Sequence, residues 1–290
     1  MDRDNVGMVL RLQPKHESNG TKPPFLVANT HLLFNKNRGD IKLLQMATLL
    51  AEIEEIAKVR MPYDEAPTTQ NAYTPVIICG DFNSTPFSPL YNFVVDGKLQ
   101  YSGLSKKHIS GQNSPQKKMH DNSFLNHSLI PVGLNISGLC QKRDISMMNS
   151  DGAEIASNDT QYVDDTDCYV VAEKINGKEC ILEEPGVLKH LLRFESAYRH
   201  YLADGRPEVS TCHSEVSTCV DYIMFSQGVD KVLSKKLSDD VSLNVTRKQL
   251  YLSSLLTLLG GEDISAMGKL PNVYLSSDHL ALLARFKLFD

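Results

Sequence analysis

The feature that most constrains this chain is the run Pro75-Val76-Ile77-Ile78-Cys79, unbroken in its apolar character and ended at once by Gly80-Asp81. A short continuous apolar run of this kind is the pattern of a fully buried strand. Upstream, Ile41, Leu43, Leu44, Met46, Ala47, Leu49, Leu50, Ile53 and Ile56 recur at helical spacing between Asp40 and Val59. With Glu52, Glu54, Glu55 and Lys58 mostly on the other face, this predicts an amphipathic helix capped by Asp40. Ahead of it, Val6 to Leu12 alternates as a strand does, Lys15 to Pro24 reads as a turn, and Phe25 to Asn29 reads as a second strand completing a hairpin. Later in the chain the pattern predicts order over Leu188 to Tyr198, a strand from Val220 to Phe225, a helix from Lys248 to Leu259 and a last strand from Leu280 to Phe286. No internal repeat is read.

Between these regions the character changes. From about Lys106 to Pro185, Ser, Asn, Asp, Gly and Lys dominate, with an acidic stretch at Asp159 to Asp167, which reads as a mobile insertion. The formal charge of -5 supplies no global basic field, so any attraction to a nucleic acid must be local or carried by a metal. The 6 cysteines include no CxxC pair, and MDRDNVGMVL has neither a basic nor an apolar leader segment, which points to reduced thiols in the cytoplasm or nucleus. No apolar run approaches the roughly 18 residues needed to cross a bilayer, so no membrane role is expected.

Polar groups collect where strands end. Val76 to Ser84 reads VIICGDFNS, which delivers Asp81 and Asn83 two residues apart at the end of the buried strand. Such oxygen ligands suit Mg²⁺ or Mn²⁺ bridging to a phosphate, while the plainer alternative is an Asx turn. Ser276-Ser277-Asp278-His279 precedes the last strand and adds a carboxylate and an imidazole able to move a proton near neutral pH. Asp221, in Val220-Asp221-Tyr222-Ile223, puts a charge at the head of an apolar strand and is a candidate partner for His279. His31 follows its own strand in Asn29-Thr30-His31-Leu32. Each of these alone has an ordinary structural explanation; together they fit a site built at one edge of stacked sheets.

In that order, NTHL, GDFNS, DYI and SSDH resemble the motif series of the endonuclease/exonuclease/phosphatase superfamily. The Asp40 to Gln45 segment, Ser196-Ala197-Tyr198 and DYIMFS are similar to its deadenylase and nocturnin branch, and among that branch to the Angel proteins. The resemblance covers residues 1–104 and 188–290 and leaves out the polar insertion at 105–187. It implies a four-layer α/β sandwich with the N-terminal part of the fold missing, and a Mg²⁺-dependent phosphoesterase, with Mn²⁺ as the substitute ion, acting on RNA 3′ ends. Hydrolysis of 2′,3′-cyclic phosphate and exonucleolytic or deadenylase action are the implied reactions.

Carried over by position, the resemblance implies that Asp81 and Asn83 contact the metal-bound phosphate or orient the attacking group. Asp278, with Asp81, belongs to the metal side, His279 oriented by Asp221 polarises the phosphate or handles a proton, and His31 contacts phosphate or assists the leaving oxygen. The general base stays open between Asp81 and His279. The family pattern also includes an upstream Asn and a metal-binding Glu that no residue here matches; Asp4 and Asn5 do not fit them. The expectation is therefore a chain whose inner sheet face is uncovered and whose turnover is weak, the alternative being a catalytically inactive module that binds RNA or protein.

Overall fold

The computed structural model describes residues 4–15, 22–58, 73–113, 124–125, 171–175, 178–182, 186–213, 216–226, 232–238, 241–246, 249–268 and 270–289. Most of the 105–187 segment lies outside these, so the reading of it as a mobile insertion falls largely beyond the described residues. The first half supplies β1 (Gly7–Leu12), β2 (Phe25–His31), α1 (Gly39–Ala57), β3 (Val76–Asp81), α2 (Pro89–Asp96) and β4 (Lys98–Gln100). A hairpin follows from β5 (Val171–Ile175) and β6 (Lys178–Leu182), then β7 (Val187–Lys189), β8 (Glu195–Ser196), β9 (Glu208–Val209), β10 (Thr211–His213) and β11 (Val216–Thr218). The chain continues through β12 (Asp221–Ser226), β13 (Val232–Ser238), β14 (Val241–Thr246), β15 (Leu250–Leu255), β16 (Leu259–Gly260), α3 (Gly261–Ala266) and β17 (Ala284–Leu288).

The centre is a 5-stranded sheet in the order β1-β2-β3-β12-β8. β2 and β3 run parallel with α1 as the crossover between them, whereas β1 and β12 pair antiparallel to their neighbours. The unbroken apolar run of β3 is explained by cover on both faces. Val76 and Ile78 pack with Leu43, Met46, Leu50 and Ile53 of α1 and with Leu90 and Phe93 of α2. Ile77 and Cys79 face the other way, against Tyr198, Leu252, Leu255 and Phe286. The expected inner face is thus partly covered by the small β15–β17 sheet, while Met8, Leu10 and Leu12 on the β1 edge are exposed. None of the described helices is long and apolar enough to cross a membrane.

Three expectations need correction. The helix expected over Lys248 to Leu259 is strand β15, paired antiparallel with β17. Its register shifts between Leu252 and Ser254, and that bulge brings Leu252 and Leu255, three positions apart, onto one face. A bulged strand therefore produced a spacing that mimics a helix. The cap expected at Asp40 is absent: α1 starts at Gly39 with Arg38 at its N-cap position, and Asp40 in the first turn receives Arg38's guanidinium at 2.9 Å. The last strand begins at Ala284 rather than Leu280 because Tyr198 takes the neighbouring strand's place. Its hydroxyl shares its single proton between the Leu256 and Leu283 carbonyls, at 3.0 and 3.2 Å, and accepts from the Leu283 N–H at 3.0 Å. A short repetition also emerges, for Glu208-Val209-Ser210-Thr211-Cys212 recurs letter for letter as Glu215-Val216-Ser217-Thr218-Cys219, and the two copies meet in the β10–β11 hairpin.

Candidate active site

Register places the polar residues before any side-chain geometry is considered. In the parallel β2–β3 pair His31 lies opposite Asp81, and in the antiparallel β3–β12 pair Asp221 lies opposite the same Asp81. Residues directly opposite one another share a face, so the three side chains form one row across three neighbouring strands. Gly80 makes this close approach feasible. A side chain there would strike the Thr30 carbonyl of β2, and the residue's φ of 142° lies in the range that favours glycine.

His279 reaches the row from a distant part of the chain. An isolated bridge joins it to Thr211; on either side of it, the Cys212 N–H donates to the Asp278 carbonyl at 3.1 Å and the Leu280 N–H to the Ser210 carbonyl at 2.7 Å. The imidazole Nδ1 then lies 2.8 Å from Asp221 Oδ2. On the other flank, His31 Nε2 lies 3.4 Å from Asp81 Oδ2, with the His31 side chain 67% exposed. Asp81, Asp221, His279 and His31 are thus brought together. Asp278 is tied in through its backbone, its carbonyl accepting from the Cys212 N–H and from the Thr211 hydroxyl, the latter at 3.0 Å, and its carboxylate is near enough to raise the His279 pKa.

Asn83 takes a different place from the one its spacing predicts. Its N–H donates to Asp81 Oδ1 at 2.7 Å, which is an Asx turn, and its buried amide donates to the Leu32 carbonyl at 2.9 Å. It adopts a left-handed φ of 47°, which asparagine tolerates better than most residues. Its effect is to fix one oxygen of Asp81 and leave the other toward His31. Beneath it, the fully buried Lys42 ammonium donates to the Asn83 carbonyl at 2.7 Å and to Gln112 Oε1 at 2.6 Å. Burial lowers the Lys42 pKa to about 8 against the opposing pull of Asp81. Asn5, also unmatched to a site role, braces His31 by donating to its carbonyl at 2.9 Å and accepting from Gln45.

The electrostatics follow from one crowded, half-buried pocket. Burial pushes the Asp81 carboxyl up, with the Asp221 charge adding to it, while the Asn83 N–H, His31 and His279 pull it down. Burial pulls His279 down, but its hydrogen bond to Asp221 and the charges of Asp221, Asp81 and Asp278 outweigh that, leaving its pKa raised. Asp81, Asp221 and His279 place potential ligand atoms within 4.8 Å of one another. Asp221 Oδ2, however, already receives Ser210 Oγ at 2.6 Å as well as His279 Nδ1. The hydrogen bonds therefore describe a carboxylate–imidazole pair beside Asp81 better than three ligands on one ion. Asp81, desolvated and next to a second carboxylate, is the oxygen donor whose charge a hard cation would relieve.

Two contributors escaped the sequence reading. Lys42 left a signal, since it stands on the apolar stripe of α1 four residues before Met46. Ser210 left none, because Ser217 carries the same flanking residues.

No family model matches the chain. Protein angel homolog 2 of Bos taurus is 40% identical over 291 residues, covering 99% of this chain and 48% of the relative. The Homo sapiens protein angel homolog 2 is 38% identical with the same coverage. Protein angel homolog 1 of Rattus norvegicus is 36% identical, over 99% of this chain and 46% of that one. Among solved structures, ANGEL2, a 2′,3′-cyclic phosphatase, in complex with adenosine-2′,3′-vanadate superposes with a TM-score of 0.68 at 36% identity, covering 99% of this chain and 62% of that chain. The chain spans about half the length of the curated relatives it matches.

A mixed α/β sandwich with imidazoles and carboxylates gathered at its central strand ends is the architecture of the superfamily whose motifs the sequence carries. The chain belongs to the Angel branch of the endonuclease/exonuclease/phosphatase superfamily.

Proposed function

We propose that this chain carries one wall of a Mg²⁺-dependent phosphoesterase that acts on RNA 3′ ends and hydrolyses a terminal 2′,3′-cyclic phosphate. The observation that carries the reading is the row His31, Asp81 and Asp221 with His279 hydrogen-bonded to Asp221. The likeness to ANGEL2, a 2′,3′-cyclic phosphatase, supplies the substrate class.

His279, whose raised pKa favours the charged ring, keeps Nδ1–H on Asp221 and as imidazolium donates Nε2–H to a phosphate oxygen, stabilising the charge that builds there. Asp81, made more basic by burial, takes the proton of the attacking water while its Oδ1 stays tied to the Asn83 N–H. Exposed His31 reaches the leaving oxygen from the other flank. Asp81, with Asp278, would hold Mg²⁺, or Mn²⁺ in its place, and the ion would supply Lewis-acid polarisation and charge neutralisation.

The test offers the purified chain, with Mg²⁺, an oligonucleotide ending in 2′,3′-cyclic phosphate beside one ending in a run of adenosines. Opening of the cyclic phosphate, lost in Asp278→Ala, is the expected result; shortening of the adenosine run alone would replace it with an exonuclease reading. A second reading, an RNA-binding module without turnover, draws on the commitment of Asp221 to Ser210 and His279, which leaves Asp81 with few companions for a metal. Salt-dependent RNA binding with no metal-dependent turnover would favour it.

A further inference from the structure

We infer that Ser210 is a positioning residue that fixes which ring nitrogen of His279 carries the proton. A serine hydroxyl has one proton to donate and two lone pairs to accept with. Ser210 is completely buried, and its Oγ lies 3.0 Å from the Val220 nitrogen and 3.1 Å from the Asp221 nitrogen. Backbone N–H groups only donate, so these two contacts take up both lone pairs. The single hydroxyl proton therefore goes to the stronger acceptor left, the Asp221 carboxylate oxygen Oδ2 at 2.6 Å, rather than to the neighbouring Cys219 thiol.

Ser210 reaches the imidazole by position: an ionised carboxylate only accepts, so the tautomer is fixed as long as Asp221 is held against Nδ1, and Ser210 is what holds it. Oδ2 accepts from Ser210 as a carboxylate oxygen and stands 2.8 Å from His279 Nδ1, so Nδ1 is the donor and the proton of the neutral ring sits there. In the neutral ring Nε2 is left with its lone pair, and it takes up the second proton when the ring is charged. The Ser210 main chain acts on the same pair, because its carbonyl accepts the Leu280 N–H at 2.7 Å and its own N–H donates to the Thr218 carbonyl at 3.0 Å. One residue thus grips Asp221 through its side chain and the segment after His279 through its backbone. Ser217, the matching serine of the second copy, is exposed, and its hydroxyl contacts Cys212 Sγ at 3.1 Å instead.

The kinetic consequence rests on the phosphoesterase reading; the tautomer does not. The full 290-residue chain is labelled with ¹⁵N-histidine and compared as wild type, Ser210→Ala and Ser217→Ala at alkaline pH, where the rings are neutral, with His279→Gln assigning the signal. Wild type and Ser217→Ala should show a protonated Nδ1 and a bare Nε2 at His279, and Ser210→Ala a mixture. On the cyclic-phosphate oligonucleotide with Mg²⁺, Ser210→Ala should lose about 10- to 100-fold in kcat while KM moves less than roughly twofold. If Ser210→Ala does not fold, as circular dichroism would reveal, Ser210→Cys, of similar size and with a weaker donor, takes its place. A His279 tautomer identical in wild type and the variant overturns the inference even where turnover is intact. A tautomer shift in a chain with no turnover upholds it and counts against the phosphoesterase reading alone.

Discussion

The same five residues, Glu-Val-Ser-Thr-Cys, occupy two adjacent stretches of this chain and meet opposite fates. All five of the first copy, Glu208 to Cys212, are buried. In the second, Val216 is 51% exposed and Ser217 is exposed, while Cys219 at its end is buried. Composition cannot account for the difference, so neighbours must. The second copy folds back along the first, with Thr211 opposite Thr218 and Cys212 opposite Ser217, and among the described residues no further strand pairs with its other edge. The first copy has company on both sides, from Leu259 and Gly260 at one end and from the Asp278 to Leu280 segment at the other. A polar residue acquires chemistry when both its flanks are occupied, because only then are its few hydrogen-bonding positions all assigned.

That contrast can be pressed hardest at the group the first copy holds. Asp221→Asn keeps the shape but replaces an acceptor with an amide that can donate toward Nδ1, turning the ring to the wrong tautomer. The expected loss in kcat is about 10³- to 10⁴-fold, read by single-turnover hydrolysis of the cyclic-phosphate oligonucleotide, and a loss under tenfold would remove the pair from the chemistry.

Next in size is an acid effect centred on His200, which links the two copies: its N–H donates to Glu208 Oε2 at 2.6 Å and its Nδ1 lies 4.0 Å from Cys219 Sγ. Burial lowers the His200 pKa to about 4, and burial likewise lowers that of His190 to about 4. Both are depressed below the unfolded value near 6.5, so their stability contribution is complete above that pH and is lost as pH falls toward 4. Each should cost on the order of 2–3 kcal/mol across that window. Urea midpoints measured from neutral to acid pH should fall, and His200→Gln should flatten the slope. Half-buried Asp81 and buried Glu208, whose raised pKa values favour the fold as they protonate, work in the opposite direction at the acid end.

Smaller effects separate the copies directly. Val209 packs with Cys212, Ile264 and Leu270, so Val209→Ala should cost about 2 kcal/mol in chemical denaturation. Val216→Ala should stay within about 0.5 kcal/mol, as exposed substitutions usually do. Equal costs at the two positions would mean that the hairpin's outer face is covered in solution. Smallest of all, Ser217→Ala should leave the thermal midpoint within about 1–2 °C of wild type.

The residues that were legible share one property, which is that local pattern and tertiary role agree. Asp81, Asp221 and His31 each stand at the end of an apolar run, where a strand meets solvent, and strand pairing then sets them in one row. The α1 stripe was mostly readable for a similar reason, since from Leu43 to Ile53 the face that looked apolar packs into the core. Ile56, expected on that face, is exposed, and Glu54, expected on the polar face, is buried and accepts from the Leu191 N–H. Reading failed where a local rule was overridden by a partner far along the chain. β15 mimicked a helix because its bulge answers to β17, and the end of the last strand was misplaced because Tyr198 replaces a strand's hydrogen bonds. Asn83 was expected at the phosphate, but its side-chain amide turns inward to Leu32, 51 positions away, and its backbone N–H holds Asp81.

By itself, then, the order of residues determined that buried strands would end in acids and imidazoles, because a change from apolar to polar along a strand is a property of neighbouring letters. Only the tertiary structure decided that Asp221 would face Asp81, that His279 would come to Asp221 and that the first of two identical serines would hold them together. Those outcomes depend on which donors and acceptors are left unpaired once separate strands have met, and hydrogen bonds between residues tens of positions apart leave no periodic trace in the chain that forms them.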